Sequence, residues 1–130
     1  MTILIVDDAQ TVRSYHRDIL EQSGFEAAEA ANGLEALEYM RRRGESVAAL
    51  LVDINMPQMD GYTLVRELRQ DPELAGYPAI MISTESELHD QDLAFQAGAN
   101  GYLIKPVQPD QLLRQLSLIA GHALAAEESA

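Results

Sequence analysis

Single polar side chains at the ends of short apolar runs are the residues of this chain best suited to chemistry. Asp7 and Asp8 follow the run Thr2–Val6. Asp53 follows the run Val47–Val52. Three carboxylates brought to one place would repel each other, and a divalent cation with oxygen ligands offsets that repulsion. Mg²⁺ fits best because it needs only a few carboxylates. Without the other acids, Asp53 would be an ordinary turn residue.

Hydroxyl and ammonium groups occupy the same kind of position later in the chain. Ser83 follows an apolar run, and its hydroxyl can donate a hydrogen bond to a phosphoryl oxygen. Thr84 could do the same only if the strand register slipped by one residue. Lys105 ends the last apolar run and is the only lysine of the chain, although chance could also leave a single lysine. Its compact charge suits contact with a phosphate or a carboxylate. Pro106 keeps Lys105 away from helical angles, so that the side chain can point into a cleft.

Five short apolar runs alternate with five stretches of helical periodicity. The runs are Thr2–Val6, Phe25–Ala30, Val47–Val52, Ala79–Ile82 and Gly101–Ile104. The helical stretches carry apolar residues at Val12, Tyr15, His16, Ile19 and Leu20; at Leu34, Leu37 and Met40; at Leu64, Val65 and Leu68; at Leu93, Ala94 and Ala97; and at Leu112, Leu113, Leu116, Ile119 and Ala120. This alternation predicts a parallel sheet with helices on both faces. The carboxyl ends of its strands, and the polar residues there, would then lie on one edge.

Length and composition limit the possible classes of protein. A chain of 130 residues with 47% hydrophobic residues can form one domain with one sizeable core. It has no cysteine, so disulfides and thiolate metal sites are excluded, which suits a reducing cytoplasm. The net charge of -12 argues against binding to nucleic acid or an anionic membrane; it favours a basic partner or serves solubility. No apolar run has membrane-spanning length, and the N-terminal run is too short for a signal peptide.

Taken together, the polar residues resemble those of bacterial response regulator receiver domains, particularly single-domain CheY-like proteins. The resemblance rests on the pair Asp7-Asp8, on the block D-x-x-M-P-x-M-D-G from Asp53 to Gly61, and on the spacing of two later positions. A hydroxyl residue lies 30 positions after Asp53, and Lys105-Pro106 lies 22 positions after that. The family's fold is an α/β, doubly wound, flavodoxin-like sheet of five parallel strands with five helices and strand order 2-1-3-4-5. The expected domain spans residues 1–124, and residues 125–130 form a short tail that frays from Glu127 to Ala130.

The same resemblance implies a role for each residue of the acidic group. Asp53 would be the phosphoacceptor and also a metal ligand. Asp7 and Asp8 would bind Mg²⁺, and Asn55 would supply its backbone carbonyl to the metal. Asn55 and Glu85 stand where the family tunes the lifetime of its phosphoryl group.

Three further residues acquire roles through the resemblance. Ser83 would be the switch hydroxyl, and serine in place of the commoner threonine is within the family's range. Lys105 would contact the phosphoryl group. Tyr102 would be the aromatic residue whose rotamer follows the switch.

The implied function is phosphorylation-activated signalling. A sensor histidine kinase, of the chemotaxis type, would supply the phosphoryl group. A downstream target would bind the face made by the fourth helix, fifth strand and fifth helix. The resemblance predicts a cytoplasmic monomer that binds neither nucleic acid nor membrane and catalyses only its own phosphorylation and dephosphorylation. Stand-alone length favours a role in chemotaxis or motility.

Three alternatives use the same residues. A phosphorelay intermediate would pass the phosphoryl group from Asp53 to a histidine phosphotransfer domain, and sequence does not separate it from the first interpretation. A magnesium-dependent phosphohydrolase with an Asp nucleophile is disfavoured, because position 55 is Asn and no cap domain is visible. A pseudo-receiver that binds without phosphorylation is disfavoured by the complete set Asp7, Asp8, Asp53 and Lys105.

Overall fold

Apolar runs without alternation form the strands of one sheet, as expected for strands covered on both faces. The computed structural model describes residues 1–85 and 88–129, with side chains described up to residue 119. The strands are β1 Thr2–Val6, β2 Glu26–Ala30, β3 Val47–Asp53, β4 Ala79–Ser83 and β5 Gly101–Ile104. The helices are α1 Gln10–Gln22, α2 Gly33–Arg43, α3 Gly61–Gln70, α4 Leu88–Ala97 and α5 Pro109–Ser129, and a 3₁₀ turn, Gly44–Ser46, precedes β3.

The sheet is parallel throughout and has the order β2-β1-β3-β4-β5, which confirms the predicted fold class and strand order. Its register aligns the carboxyl ends of the strands. Val6 pairs with Val52, and Asp53 pairs with Ile82. Ser83 pairs with Ile104. The residues that end β1, β3, β4 and β5 therefore meet along one edge of the sheet.

The predicted strand ends were short by one residue at two places. Asp53 and Ser83 are the last residues of β3 and β4 and are themselves buried, whereas the sequence pattern placed them just after the strands. Both pair with the neighbouring strand, Asp53 with Ile82 and Ser83 with Ile104. Strand pairing therefore fixes the backbone of Asp53 and of Ser83.

Two hydrophobic clusters lie on opposite faces of the sheet. Alternate residues of β1 supply both: Leu4 and Val6 belong to one cluster, Ile3 and Ile5 to the other. The first cluster includes residues of α2, α3 and α4: Leu37, Met40, Leu64, Leu68 and Ala94. The second includes residues of α1 and α5: Ile19, Leu20, Leu112 and Leu116. Helices cover both faces, as the alternating pattern predicted.

The apolar face predicted for α2 was wrong at one residue. Leu34 is 54% exposed, while Leu37 and Met40 are buried. The buried face of α2 instead runs through the small residues Gly33 and Ala36, which allow the helix to lie close to its neighbours. Because Leu34 lies next to Gly33 in the chain, it is turned about 100° away from that face.

The helix before β5 also begins earlier than the sequence pattern indicates. The stretch from Glu85 to Asp92 is polar, but α4 begins within it at Leu88, whose side chain is 78% exposed. Ala94 and Ala97 are buried as expected. Small residues make the contact of this short helix with the sheet.

The last helix reaches beyond the predicted end of the domain. α5 extends to Ser129, while Ala120 lies outside the residues whose side chains are described and Ala130 lies outside the described chain. The division into residues 1–124 and a tail stays a prediction. Among the described residues, no helix combines the length and apolar character needed to cross a bilayer.

Candidate functional site

The carboxyl ends of β1 and β3 bring three acids together. Carboxylate oxygens of Asp7, Asp8 and Asp53 all lie within 4.8 Å of one another. Asp7 and Asp53 are only 2% and 3% exposed, while Asp8 faces solvent. The structure thus places the predicted acids in one cluster with one open side.

Lys105 closes the cluster from the end of β5. Its Nζ lies 3.1 Å from Asp7 Oδ2 and 3.1 Å from Asp53 Oδ1. Its backbone N–H donates to the carbonyl of Ser83 at 2.8 Å, which ties the end of β5 to β4. One ammonium group therefore contacts two buried carboxylates that would otherwise repel each other.

The electrostatics of the site are dominated by burial. Burial raises the pKa of Asp53, and the neighbouring Asp7 raises it further, while Lys105 and a backbone hydrogen bond from Asn55 oppose the rise. Burial lowers the pKa of Lys105, but the charges and hydrogen bonds of Asp53 and Asp7 outweigh it, and the net pKa is raised. Lys105 therefore stays charged, and the ionised form of Asp53 is held at a cost in free energy.

The donor set fits a hard divalent cation. All three acids offer carboxylate oxygens at mutual distances within 4.8 Å, and these are the donors that Mg²⁺ prefers. A cation here would relieve the repulsion that raises the pKa of Asp53. Asp7, Asp8 and Asp53 could thus hold Mg²⁺, and a contribution from the Asn55 carbonyl stays a prediction.

Ser83 ends β4, the strand next to β3, and Tyr102 lies on β5, the next strand along the sheet. Ser83 is fully buried, and its Oγ accepts a hydrogen bond from the backbone N–H of Glu85 at 3.0 Å. Tyr102 is 9% exposed, and its hydroxyl donates to the Glu85 carbonyl at 2.7 Å. Burial raises the pKa of Tyr102, although a hydrogen bond with Ser83 opposes that rise. Thr84 is exposed, so Ser83 is the hydroxyl residue at the sheet edge.

The loop after β3 returns close to Asp53. Gly61 N–H donates to the Ile54 carbonyl at 2.9 Å. A Cβ at Gly61 would lie 2.5 Å from the Asp53 carbonyl oxygen and 2.8 Å from Ile54 Cα. In the sequence Gly61 is the last residue of the block that begins at Asp53, and in the structure it also lies against the backbone of this phosphoacceptor candidate.

Two residues of α1 were missed by the sequence analysis. Arg13 Nη1 donates to the Asp7 carbonyl at 2.7 Å, and Tyr15 Oη donates to the Val107 carbonyl at 2.8 Å. Arg13 lies in the first turn of the helix that follows Asp7, and this short separation could have suggested its contact with the Asp7 carbonyl. The second joins residues 92 positions apart, so local pattern holds no signal for it.

The acid cluster, the bridging lysine and the buried hydroxyl lie at the carboxyl edge of a β2-β1-β3-β4-β5 sheet. A family model for the response regulator receiver domain matches residues 3–117, which is most of the chain. The chain belongs to the response regulator receiver domain family.

Chemotaxis proteins are similar to this receiver domain along almost the whole chain. Chemotaxis protein CheY1 of Helicobacter pylori is 36% identical over 122 residues, covering 93% of this chain and 98% of that protein. The chemotaxis protein CheY homolog of Campylobacter jejuni is 34% identical, covering 93% of each chain. The structure of the chemotaxis response regulator CheY4 of Vibrio cholerae has a TM-score of 0.83 at 30% identity, covering 91% of this chain and 97% of that one. The predicted CheY-like receiver domain is confirmed.

We expect His16 to make the stability of the receiver domain depend on pH. The side chain is 2% exposed on α1, and burial lowers its pKa below the usual 6.5; Lys105 adds to this shift, and Asp7 opposes it. As pH falls below about 6.5, the unfolded chain gains a proton that the folded protein resists. The free energy of unfolding should therefore fall with pH in that window, by at most about 1.4 kcal/mol per pH unit for one group.

The variant His16→Leu should remove this contribution. Urea unfolding at about pH 7.5 and about pH 5.5 should show a smaller loss of stability in His16→Leu than in the wild type. His89→Gln is the matched control, because it removes an imidazole from an exposed position instead of a buried one. An equal pH dependence in the wild type and His16→Leu would contradict the assignment.

Proposed function

We propose that this receiver domain accepts a phosphoryl group on Asp53 and passes a signal by a phosphorylation-dependent change in a protein-binding face. The observation that carries the proposal is the contact of Lys105 Nζ with Asp53 Oδ1 at 3.1 Å. A fixed cation beside a buried carboxylate lies where the charge of a transferred phosphoryl group must be neutralised.

The proposed chemistry is an in-line displacement. A carboxylate oxygen of Asp53 attacks the phosphorus of a phosphohistidine; the new O–P bond forms as the P–N bond breaks, and the departing imidazole keeps the bonding pair and takes a proton from water. Lys105 and Ser83 neutralise the phosphoryl oxygens. Asp7, Asp8 and Asp53, with the Asn55 carbonyl, would hold Mg²⁺, which would supply further positive charge. Water then hydrolyses the acyl phosphate, which releases inorganic phosphate and restores the carboxylate.

The switch begins at Ser83 and Tyr102. A phosphoryl group adds negative charge at Asp53, and a hydroxyl donor on the neighbouring strand is drawn to it. Movement of Ser83 would disturb the Glu85 N–H contact and, through the Glu85 carbonyl, the hydrogen bond of Tyr102. The face made by α4, β5 and α5, where Phe95 and Ile104 are exposed, then changes its population of binding-competent states.

Chemotaxis is the proposed setting. The named relatives are chemotaxis proteins, and they cover 93% of this chain at 34–36% identity, which favours this role over a phosphorelay intermediate. The partners would be a chemotaxis-type histidine kinase and a downstream target protein. The protein would act as a cytoplasmic monomer and catalyse only its own phosphorylation and dephosphorylation.

Mass spectrometry after incubation with acetyl phosphate tests the proposal. With Mg²⁺, the protein should gain one phosphoryl group of about 80 Da, and with EDTA the gain should disappear. No adduct in a folded sample that leaves acetyl phosphate unconsumed would favour a phosphorylation-independent binding module. Consumption of acetyl phosphate without an adduct would indicate rapid hydrolysis and requires the same measurement at early times.

A further inference from the structure

Helix α1 contacts the backbone on both sides of the ion pair between Asp7 and Lys105. On the Asp7 side, Arg13 Nη1 donates to the Asp7 carbonyl at 2.7 Å. Ala9, the residue just before the helix, donates its N–H to the Asp7 side chain at Oδ1, at 2.9 Å. On the Lys105 side, Tyr15 Oη donates to the Val107 carbonyl at 2.8 Å, two residues after Lys105. One helix is therefore bonded to the backbone near both ends of a 3.1 Å ion pair.

The loop after β5 is held from three directions. The Lys105 N–H donates to the Ser83 carbonyl at 2.8 Å, and the Val107 side chain is 1% exposed in the cluster with Leu112. The third contact is the hydrogen bond from Tyr15. The first fixes the loop against β4, and the second buries Val107 in the cluster that α1 and α5 share. The third is the one hydrogen bond among these that comes from α1.

Packing does not replace that third contact. A cavity of about 350 Å³ lies between α1 and the loop, and its walls include Tyr15, His16, Lys105 and Val107. The Tyr15 side chain is 44% exposed, and its ring lies 5.7 Å from that of His16. Because an open cavity lies beside this contact, a directional hydrogen bond carries more of the positioning at this point than van der Waals contact does.

We propose that Tyr15 is a positioning residue for Lys105: its hydroxyl, through the Val107 carbonyl, fixes Lys105 Nζ relative to Asp53 and Asp7. For its catalytic consequence, the inference rests on the proposed function. In phosphoryl transfer the protein contributes mainly positioning and charge, so a displaced Lys105 stabilises the transferred group less well. Tyr15 itself acts through the loop and contacts no reacting atom.

The single lysine of the chain provides a direct probe. Protein labelled with ¹³Cε-lysine gives one lysine signal by NMR, and that signal reports the surroundings of Lys105 alone. In Tyr15→Phe, which keeps the ring and removes the hydroxyl, we expect this signal to shift. We expect the rate of phosphoryl uptake from acetyl phosphate to fall about two- to tenfold, the range that corresponds to the loss of one hydrogen bond.

Tyr39→Phe is the matched control, because it removes a tyrosine hydroxyl from α2 on the opposite face of the sheet. It should leave the lysine signal and the uptake rate unchanged. Both variants should show similar urea midpoints and Mg²⁺ affinities, which separates positioning of Lys105 from a general loss of structure. Should Tyr15→Phe lose its fold, Tyr15→Leu provides a second measurement, and the same shift of the lysine signal is expected.

An unshifted lysine signal in folded Tyr15→Phe would overturn the proposal, even if phosphoryl uptake became slower. A shifted signal with an unchanged uptake rate would overturn the catalytic consequence. Failure of the proposed function has a different signature, since the wild type would then form no adduct at all. The lysine signal would still report whether Tyr15 positions Lys105 in that case.

Discussion

Replacement of Asp53 by Asn should abolish the phosphoryl adduct and at the same time make the folded protein more stable. The loss of the adduct follows because the amide of Asn offers no anionic oxygen to attack phosphorus. Ser83 and Thr84 stay in the variant, but neither hydroxyl has a charge that would make it a comparable nucleophile. Uptake from acetyl phosphate should therefore fall to background in the mass spectrum of Asp53→Asn.

The gain in stability follows from the direction of the pKa shift. Burial, and then the charge of Asp7, raise the pKa of Asp53 in spite of Lys105. A carboxylate whose pKa is raised in the folded state costs stability above that pKa, and the cost disappears as pH falls through it. Asn has nearly the same shape without the charge, so at neutral pH it should raise the thermal midpoint.

Asp18→Asn provides the matched control, because it makes the same change of charge at an exposed position on α1. It should keep the adduct and leave the thermal midpoint close to that of the wild type. An adduct on Asp53→Asn at the wild-type level would reject Asp53 as the phosphoacceptor. A lower midpoint in Asp53→Asn would mean that the ion pair of Asp53 with Lys105 outweighs the combined cost of burial and of repulsion from Asp7.

The sheet was predictable because its apolar runs carry a simple signal. β1, β3 and β4 are buried along almost their whole length, so their sequences are continuous apolar runs bounded by polar residues. The runs show where each strand lies but not which strands are neighbours. The order β2-β1-β3-β4-β5 therefore came from the family resemblance.

The predictable part of the site is the part that lies on strand ends. Asp7, Asp53 and Lys105 converge because parallel strands finish on one edge, and this argument needs no knowledge of side-chain contacts. The proposed roles of Ser83 and Tyr102 required the family resemblance, since a strand-end hydroxyl or aromatic residue is common without such a role.

Contacts between distant segments left no local pattern. The bond from Tyr15 to Val107 spans 92 residues, and Tyr15 was placed on an apolar helix face although its side chain is 44% exposed. The close contact of Gly61 with Asp53 is equally invisible, because a turn glycine and a glycine that avoids a collision look the same in one sequence. Such contacts depend on the exact separation of elements, which helix and strand periodicity does not specify.

Substitution of Gly61 by Ala should lower stability and disturb the phosphoacceptor at once. The added Cβ would lie 2.5 Å from the Asp53 carbonyl oxygen and 2.8 Å from Ile54 Cα. Both are backbone atoms, so no side chain can rotate away, and either the end of β3 or the start of α3 must move. We expect a loss of about 3 kcal/mol in the free energy of unfolding, or roughly 10 °C in thermal midpoint.

The displacement should also slow phosphoryl uptake by the folded fraction, because Asp53 is the residue whose backbone is pushed. Gly76→Ala is the matched control, since a Cβ at Gly76 meets nothing within 4 Å and should change neither the midpoint nor the uptake rate. Thermal unfolding and acetyl phosphate uptake, measured on both variants, separate the two effects. A wild-type midpoint in Gly61→Ala would contradict the predicted loss of stability and would show that the β3–α3 loop moves enough to accept the Cβ. A lower midpoint with normal uptake per folded molecule would show that α3 moves while Asp53 keeps its place.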